Sequence, residues 1–132
     1  MIPVMPLQDM LWFRLLAGLL VGLALGSFTT MLSYRAPRNI SIVRPPSHCP
    51  KCHTPLKARD LVPLFSWLLA RGKCRACGAP IGLRYVLIEL VTTGATLIAF
   101  VWLGLTPHVI VALVGIVAFV ALAAINIERG RN

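Results

Sequence analysis

Three stretches of the chain run without a charged residue, from Leu15 to Tyr34, from Leu90 to Pro107 and from Val109 to Ile127. At about 1.5 Å rise per residue, the first and third each cross the roughly 30 Å hydrocarbon core of a bilayer, and the second does so if its helix begins near Tyr85. The pattern predicts an all-α integral membrane protein of a single domain over residues 1–132, with about three transmembrane helices near 11–34, 85–106 and 108–127. The first stretch is too long for a signal-peptide core, and no small-x-small cleavage pattern follows it, so it is expected to remain in the mature protein.

Between the first two helices lies a polar loop of about residues 35–84. Its start carries Pro37, Pro45 and Pro46 and is expected to be extended rather than helical. An apolar insert, Asp60 to Ala70, is too short to span a bilayer; it should lie in the interface or pack under the rest of the loop, with Trp67 near headgroup level.

Composition sharpens this picture, because 58% of the 132 residues are hydrophobic and 13% charged while the formal net charge is +9, a balance no soluble domain has. Ten of the 13 basic residues fall in the loop (Arg35, Arg38, Arg44, Lys51, Lys57, Arg59, Arg71, Lys73, Arg75 and Arg84), Arg129 and Arg131 follow the third helix, and Arg14 stands alone at the start of the first. Short Lys/Arg-rich loops stay in the cytoplasm, so the N-terminus is expected outside and the loop and C-terminus inside. Lipid is the expected surrounding. The basic loop lacks the interleaved aromatics of a nucleic-acid binder, and topology already explains its charge, so no nucleic-acid partner is expected.

The loop holds the four cysteines in two Cys-x-x-Cys pairs, Cys49/Cys52 and Cys74/Cys77, with 21 residues between Cys52 and Cys74. Two such pairs can converge on one soft divalent ion, and in a reducing compartment metal ligation is favoured over disulfides. The expectation is one structural Zn²⁺ held by Cys49, Cys52, Cys74 and Cys77. Lys51, Lys73 and Arg75 beside the ligands would offset the charge of four thiolates. His48 and His53 adjoin the first pair, yet four sulfurs fill a tetrahedral site, so both are expected to be non-ligands. Gly72 and Gly78 provide permissive backbone for the turns.

Within the first helix, Gly18, Gly22 and Gly26 recur every four residues and form a flat stripe against which another helix can pack closely, with a second copy or a separate peptidase subunit as the expected partner at this face. Ser27, Thr29, Thr30 and Ser33 make the loop-side end of that helix polar, with hydroxyls placed to bond the preceding turn. Acids are few, namely Asp9, Asp60, Glu89 and Glu128. An unpaired carboxylate near the start of the second helix is costly, so Glu89 is expected to face a neighbour such as Arg84, or a ligand.

Taken together, Gly26-Ser-Phe28, Tyr34-Arg-Ala-Pro37, Cys49-Pro-x-Cys52, the run Asp60-Leu-Val-Pro-Leu-Phe-Ser-Trp-Leu-Leu-Ala-Arg-Gly-Lys-Cys74, Cys77-Gly-Ala-Pro-Ile-Gly-Leu-Arg-Tyr85 and Glu89-Leu resemble the N-terminal domain of bacterial type IV prepilin peptidases. The resemblance covers roughly residues 18 to 128. It implies an inner-membrane protein of type IV pilus or type II secretion, from a family whose members cleave the prepilin leader and then methylate the new N-terminus with S-adenosylmethionine. Several positions depart from the family pattern: Thr29-Thr30 stand where Leu-Asn is usual, Val86 where Pro is usual, and Ile125-Asn-Ile-Glu128 where the first catalytic aspartate is expected. Asn126 cannot form half of a carboxylate dyad, and the second aspartate motif has no counterpart before Asn132, so this chain is not expected to be an aspartic peptidase by itself.

Two functions follow from the resemblance. In one, the loop holds S-adenosylmethionine beside a prepilin or pseudopilin N-terminal segment, with Asp60, Arg71, Lys73, Arg84 and Glu89 as candidate catalytic residues. In the other, the chain is a non-catalytic membrane subunit that binds prepilin or a separate peptidase subunit.

Overall fold

The computed structural model describes residues 10–44, 46–57, 60 and 64–130, so Asp9, Pro45, Arg59, the 61–63 part of the insert and Arg131 lie outside the described residues. Helix α1 (Leu11–Arg35) leads into a single 3₁₀ turn (Ala36–Arg38); the loop holds a short helix α2 (Phe65–Leu69), and α3 (Leu83–Leu103) and α4 (Pro107–Arg129) complete the chain. Three of these helical segments are long and apolar enough to cross a membrane. No extended strand forms among the described residues, where the β-type pairing consists of two isolated bridges in the loop. The protein is an all-α integral membrane protein.

The start of the loop departs from the sequence expectation. Ala36–Arg38 is helical because Pro37 occupies the first turn, where a missing N–H costs nothing and the fixed φ suits a helix. Asn39 then takes the left-handed conformation (φ 54°), which an asparagine adopts with little strain, and the chain leaves the helix.

α1 and α3 are antiparallel and their backbones nearly touch. A Cβ placed on Gly18 would lie 3.3 Å from Leu97 Cα, one on Gly22 2.9 Å from Thr93 Cα, and one on Gly26 3.0 Å from Glu89 Cα. Each step of four residues along α1 matches a step of about four back along α3, so the glycine stripe is filled by the chain's own second membrane helix. The expectation that this face is left for a second copy or a partner is therefore corrected.

Hydroxyls line the interior and apolar side chains the exterior. Thr29, Thr92, Thr96 and Ser33 are the largest side chains that are fully buried, while Leu20, Leu90, Ile98, Trp102 and Phe119 are exposed. This inversion suits lipid as solvent, since bilayer chains solvate leucine as well as a core does and small residues allow helices to approach. Thr29 Oγ1 donates to Leu25 O at 2.7 Å, Thr30 Oγ1 to Gly26 O at 2.9 Å and Ser33 Oγ to Thr30 O at 2.9 Å, so these hydroxyls bond within their own helix. Two small apolar clusters attach α4: Ile88 with Val120 and Ala124, and Ala99 and Phe100 with Val109. At the far end Arg14 donates to Val101 O at 3.3 Å, placing a cation at the C-terminal carbonyls of α3.

The glycine contact is testable. Gly22→Ala forces a methyl against the Thr93 backbone, which cannot move aside as a side chain can, and is expected to cost about 1–3 kcal/mol. Gly115→Ala, where a Cβ meets nothing within 4 Å, is expected to be neutral or slightly stabilising. Unfolding midpoints in detergent micelles read both.

Candidate functional site

The two Cys-x-x-Cys turns share one plan. Cys49 N–H donates to Thr54 O (3.0 Å) and Cys74 N–H to Ala79 O (2.8 Å); His53 N–H donates to Cys49 O (2.9 Å) and Gly78 N–H to Cys74 O (2.8 Å). His53 (φ 54°) and Gly78 (φ 70°) turn the chain in the left-handed region. The two bridges, His48 with Pro55 and Lys73 with Pro80, close each turn. The loop is thus a twofold internal repeat, Cys-x-x-Cys-x-x-Pro at Cys49 to Pro55 and again at Cys74 to Pro80. The shared proline, three residues after the second cysteine of each pair, is the signal of that repeat in the sequence.

The turns face each other with their sulfurs crossed. Cys49 Sγ lies 3.9 Å from Cys77 Sγ and Cys52 Sγ 3.9 Å from Cys74 Sγ. All four sulfurs fall within 4.8 Å of one another, and His48 and His53 are not members of the cluster. A tetrahedron of thiolates at a metal–sulfur distance of about 2.3 Å has edges of about 3.8 Å, so the donor set fits one tetrahedral ion. Local hydrogen bonds prepare the thiols for ligation. The Thr54 hydroxyl, 3.2 Å from Cys52 Sγ, and the Thr54 N–H bring the Cys52 thiol down to about 6. The N–H groups of Cys77 and Ala76 lower Cys74. At Cys77 the Ala79 N–H favours the thiolate, but desolvation and the neighbouring sulfurs outweigh it and raise this thiol to about 11.

Beneath the turns is a cavity of about 520 Å³, walled by the loop, by α2 and by the loop-side ends of α1 and α3. Asp60, Lys73 and Glu89 line it; Arg71 and Arg84 do not. Glu89 enters from α3 and its Oε2 accepts a hydrogen bond from Leu64 N–H at 2.8 Å. Asp60 accepts from Lys57 N–H at 3.1 Å and pairs with Arg75 Nε at 3.2 Å, tying the insert to the second turn. Trp67 closes one side: Nε1 donates to Ile81 O at 3.2 Å and the ring covers Gly72, which is buried at φ 68°. Its ring is packed against the loop backbone.

Glu89 does not pair with Arg84, as the sequence suggested. Arg84 turns to Glu128 of α4, which also receives Arg38, and Arg84 donates in addition to Ala124 O at 3.3 Å. Arg38 stacks over the Tyr34 ring, 4.1 Å from its centroid. One carboxylate thus gathers the loop-side ends of all three membrane helices. Asn126, two residues earlier on α4, is exposed.

A helical membrane unit whose single long loop folds into paired cysteine turns over a cavity defines a class of membrane-embedded domain. The profile of the family described as "Bacterial Peptidase A24 N-terminal domain" matches residues 20–103, and the chain belongs to that family. Among its relatives, a prepilin leader peptidase/N-methyltransferase of Myxococcus xanthus is 40% identical over 109 residues, covering 83% of this chain and 32% of the relative. Proteins of the same description from Dickeya chrysanthemi and Bacillus subtilis are each 36% identical, covering 85% and 81% of this chain and 48% and 43% of the relatives. The chain therefore spans between a third and a half of these relatives' length. No solved structure matches.

The Trp67–Gly72 contact gives this site its first test. A methyl on Gly72 would lie 2.8 Å from Trp67 Cζ2 and demand a left-handed φ of a residue with a side chain, so Gly72→Ala is expected to displace the indole. A red shift of Trp67 emission, read in a Trp12→Phe, Trp102→Phe background, is the expected result.

Proposed function

We propose that the protein acts in prepilin processing at the bacterial inner membrane, with its loop cytoplasmic, one structural Zn²⁺ on Cys49, Cys52, Cys74 and Cys77, and the cavity as the place where a processed prepilin N-terminus is methylated. The observation that carries this reading is the cavity itself. Its volume of about 520 Å³ lies within the range of small-molecule sites, its wall includes the loop-side ends of two membrane helices, and it holds Asp60 and Glu89, two of the chain's four acids. The relatives' names describe the same chemistry, and the match falls on their N-terminal domain.

Methylation requires an amine lone pair, so the incoming ammonium must lose a proton before its nitrogen forms a bond to the methyl carbon. S-adenosylmethionine, when bound, supplies that carbon on a sulfonium, which leaves as a thioether. Glu89 is the group placed to receive the ammonium: half-buried, with one backbone N–H on Oε2 and the other oxygen available to orient the amine or take its proton. Asp60, already shared between Arg75 and Lys57 N–H, holds the insert in place. The four cysteines would hold zinc as a closed staple without an open position, fixing both turns above the cavity. Holding the two reactants in line is the main contribution such a site makes.

The other reading, a non-catalytic subunit that holds prepilin for a separate peptidase, rests on one observation. Thr30 and Val86, which stand where the resembling family usually has Asn and Pro, both line the cavity.

Labelled S-adenosylmethionine and a leaderless pilin separate the two. Methyl transfer is expected from the purified chain, falling at least about 100-fold in Glu89→Gln and little changed in Arg71→Gln, whose residue is exposed and outside the cavity. Pilin binding without methyl transfer, in a chain carrying its zinc, would establish the subunit reading instead. Residues 1–132 alone are expected to release no leader peptide from prepilin, because Asn126 supplies no ionisable carboxylate.

Zinc has its own measurement. Elemental analysis is expected to give one zinc per chain, lost on acidification as protons displace the metal from the thiolates, and lost in Cys52→Ser and Cys74→Ser. Metal binding of this kind stabilises on the order of 10 kcal/mol, so the loop of either variant should become protease-sensitive while the helices remain inserted. A reporter fused at Lys57 is expected on the cytoplasmic side.

A further inference from the structure

The short helix α2 shows its most apolar residues to the outside. Trp67 points into the fold, whereas Phe65, Leu68 and Leu69 are 58%, 63% and 76% exposed. Arg71 and Lys73, both exposed, follow at once. Ile42 and Val43 are also exposed near the start of the loop, whereas here three large apolar side chains on about a turn and a half of helix form a patch that water does not solvate well.

Two contacts fix the height of this patch. Leu64 N–H, at the start of α2, bonds Glu89, six residues into α3, and Trp67 bonds Ile81 O, two residues before α3 begins. Helix side chains lean toward the N-terminus, here toward the loop, so the Glu89 carboxylate lies within about two turns of Leu83. α2 therefore runs beside the first turns of α3, near Arg84, which joins Arg38 and Glu128 in the charged belt at the loop-side helix ends. That is the height of the interfacial layer, some 5–7 Å thick on each side of the hydrocarbon core. Apolar residues at this height bury into the headgroup–acyl boundary and flanking cations meet lipid phosphates.

We propose that α2 is a lipid-facing anchor, seating Phe65, Leu68 and Leu69 in the interface of the loop-side leaflet with Arg71 and Lys73 on anionic phospholipid headgroups. Because Leu64, Ser66, Trp67 and Ala70 line the cavity from the other face of the same segment, the bilayer braces one cavity wall. This inference stands whether or not the cavity transfers methyl groups.

The test is photocrosslinking in nanodiscs of phosphatidylcholine with or without phosphatidylglycerol, using the full chain with a benzophenone amino acid at Leu69 or, for comparison, at Ala76 on the exposed tip of the second cysteine turn. Phospholipid adducts at Leu69 at least several-fold above those at Ala76, rising with phosphatidylglycerol and losing that rise in Arg71→Gln/Lys73→Gln, are expected. An unchanged Trp67 emission maximum confirms that each variant is folded. Equal adducts at Leu69 and Ala76, or adducts at Leu69 to protein in place of lipid, would overturn the anchor; yields indifferent to phosphatidylglycerol would overturn its electrostatic half.

Discussion

The separation between α1 and α3 sets nearly everything else. With glycine at 18, 22 and 26, the two backbones approach until a single methyl would collide with Thr93 or Glu89 main chain. Dispersion and packing replace the hydrophobic effect as the force between helices in lipid, and both fall off steeply with distance, so close approach is what such an interface requires. One consequence is geometric. The helix ends that carry the long loop are held side by side, and Glu89 is brought against the glycine stripe with its carboxylate directed toward the loop.

Above that pair, the loop compensates for its lack of a hydrophobic core by repetition. Each cysteine turn satisfies its own backbone with the same set of hydrogen bonds and presents two sulfurs, and the sulfurs of one turn cross to those of the other. The insert between the repeats is then held at both ends: Asp60 reaches Arg75, and the Trp67 indole lies on Gly72. The cavity below is a product of this suspension, since its floor is membrane helix and its roof is the repeat.

Much of the architecture was legible in the residues because it follows from strong local signals. Uncharged runs of the right length mark the membrane helices, and close cysteine pairs mark a shared donor set. The 3₁₀ turn after α1 is not legible in the same way, because a proline that ends a helix in its interior is favoured at the first helical position. The Arg84–Glu89 pairing fails on helix geometry, since five residues rotate by about 500° and leave the two side chains some 140° apart. Arg84 instead found Glu128, 44 residues away, a choice made by the packing of α4 on α3 that no local pattern encodes. The glycine stripe announced a packing face, but not that the chain itself would fill it. Asp60 and Glu89 reach the cavity while Arg71 does not, because the left-handed turn at Arg71 (φ 51°) sends that residue outward.

Glu128 belongs to the last turn of α4, yet its two guanidinium partners stand at the foot of the loop, one in the 3₁₀ turn where the loop begins and one in the first turn of α3 where it ends. The carboxylate works as a knot tying three ropes at one height. A pull or twist on the end of α4 would load both hinges of the loop at once, so the geometry of the thiol turns and of the cavity under them is mechanically tied to a helix that contributes no residue to either.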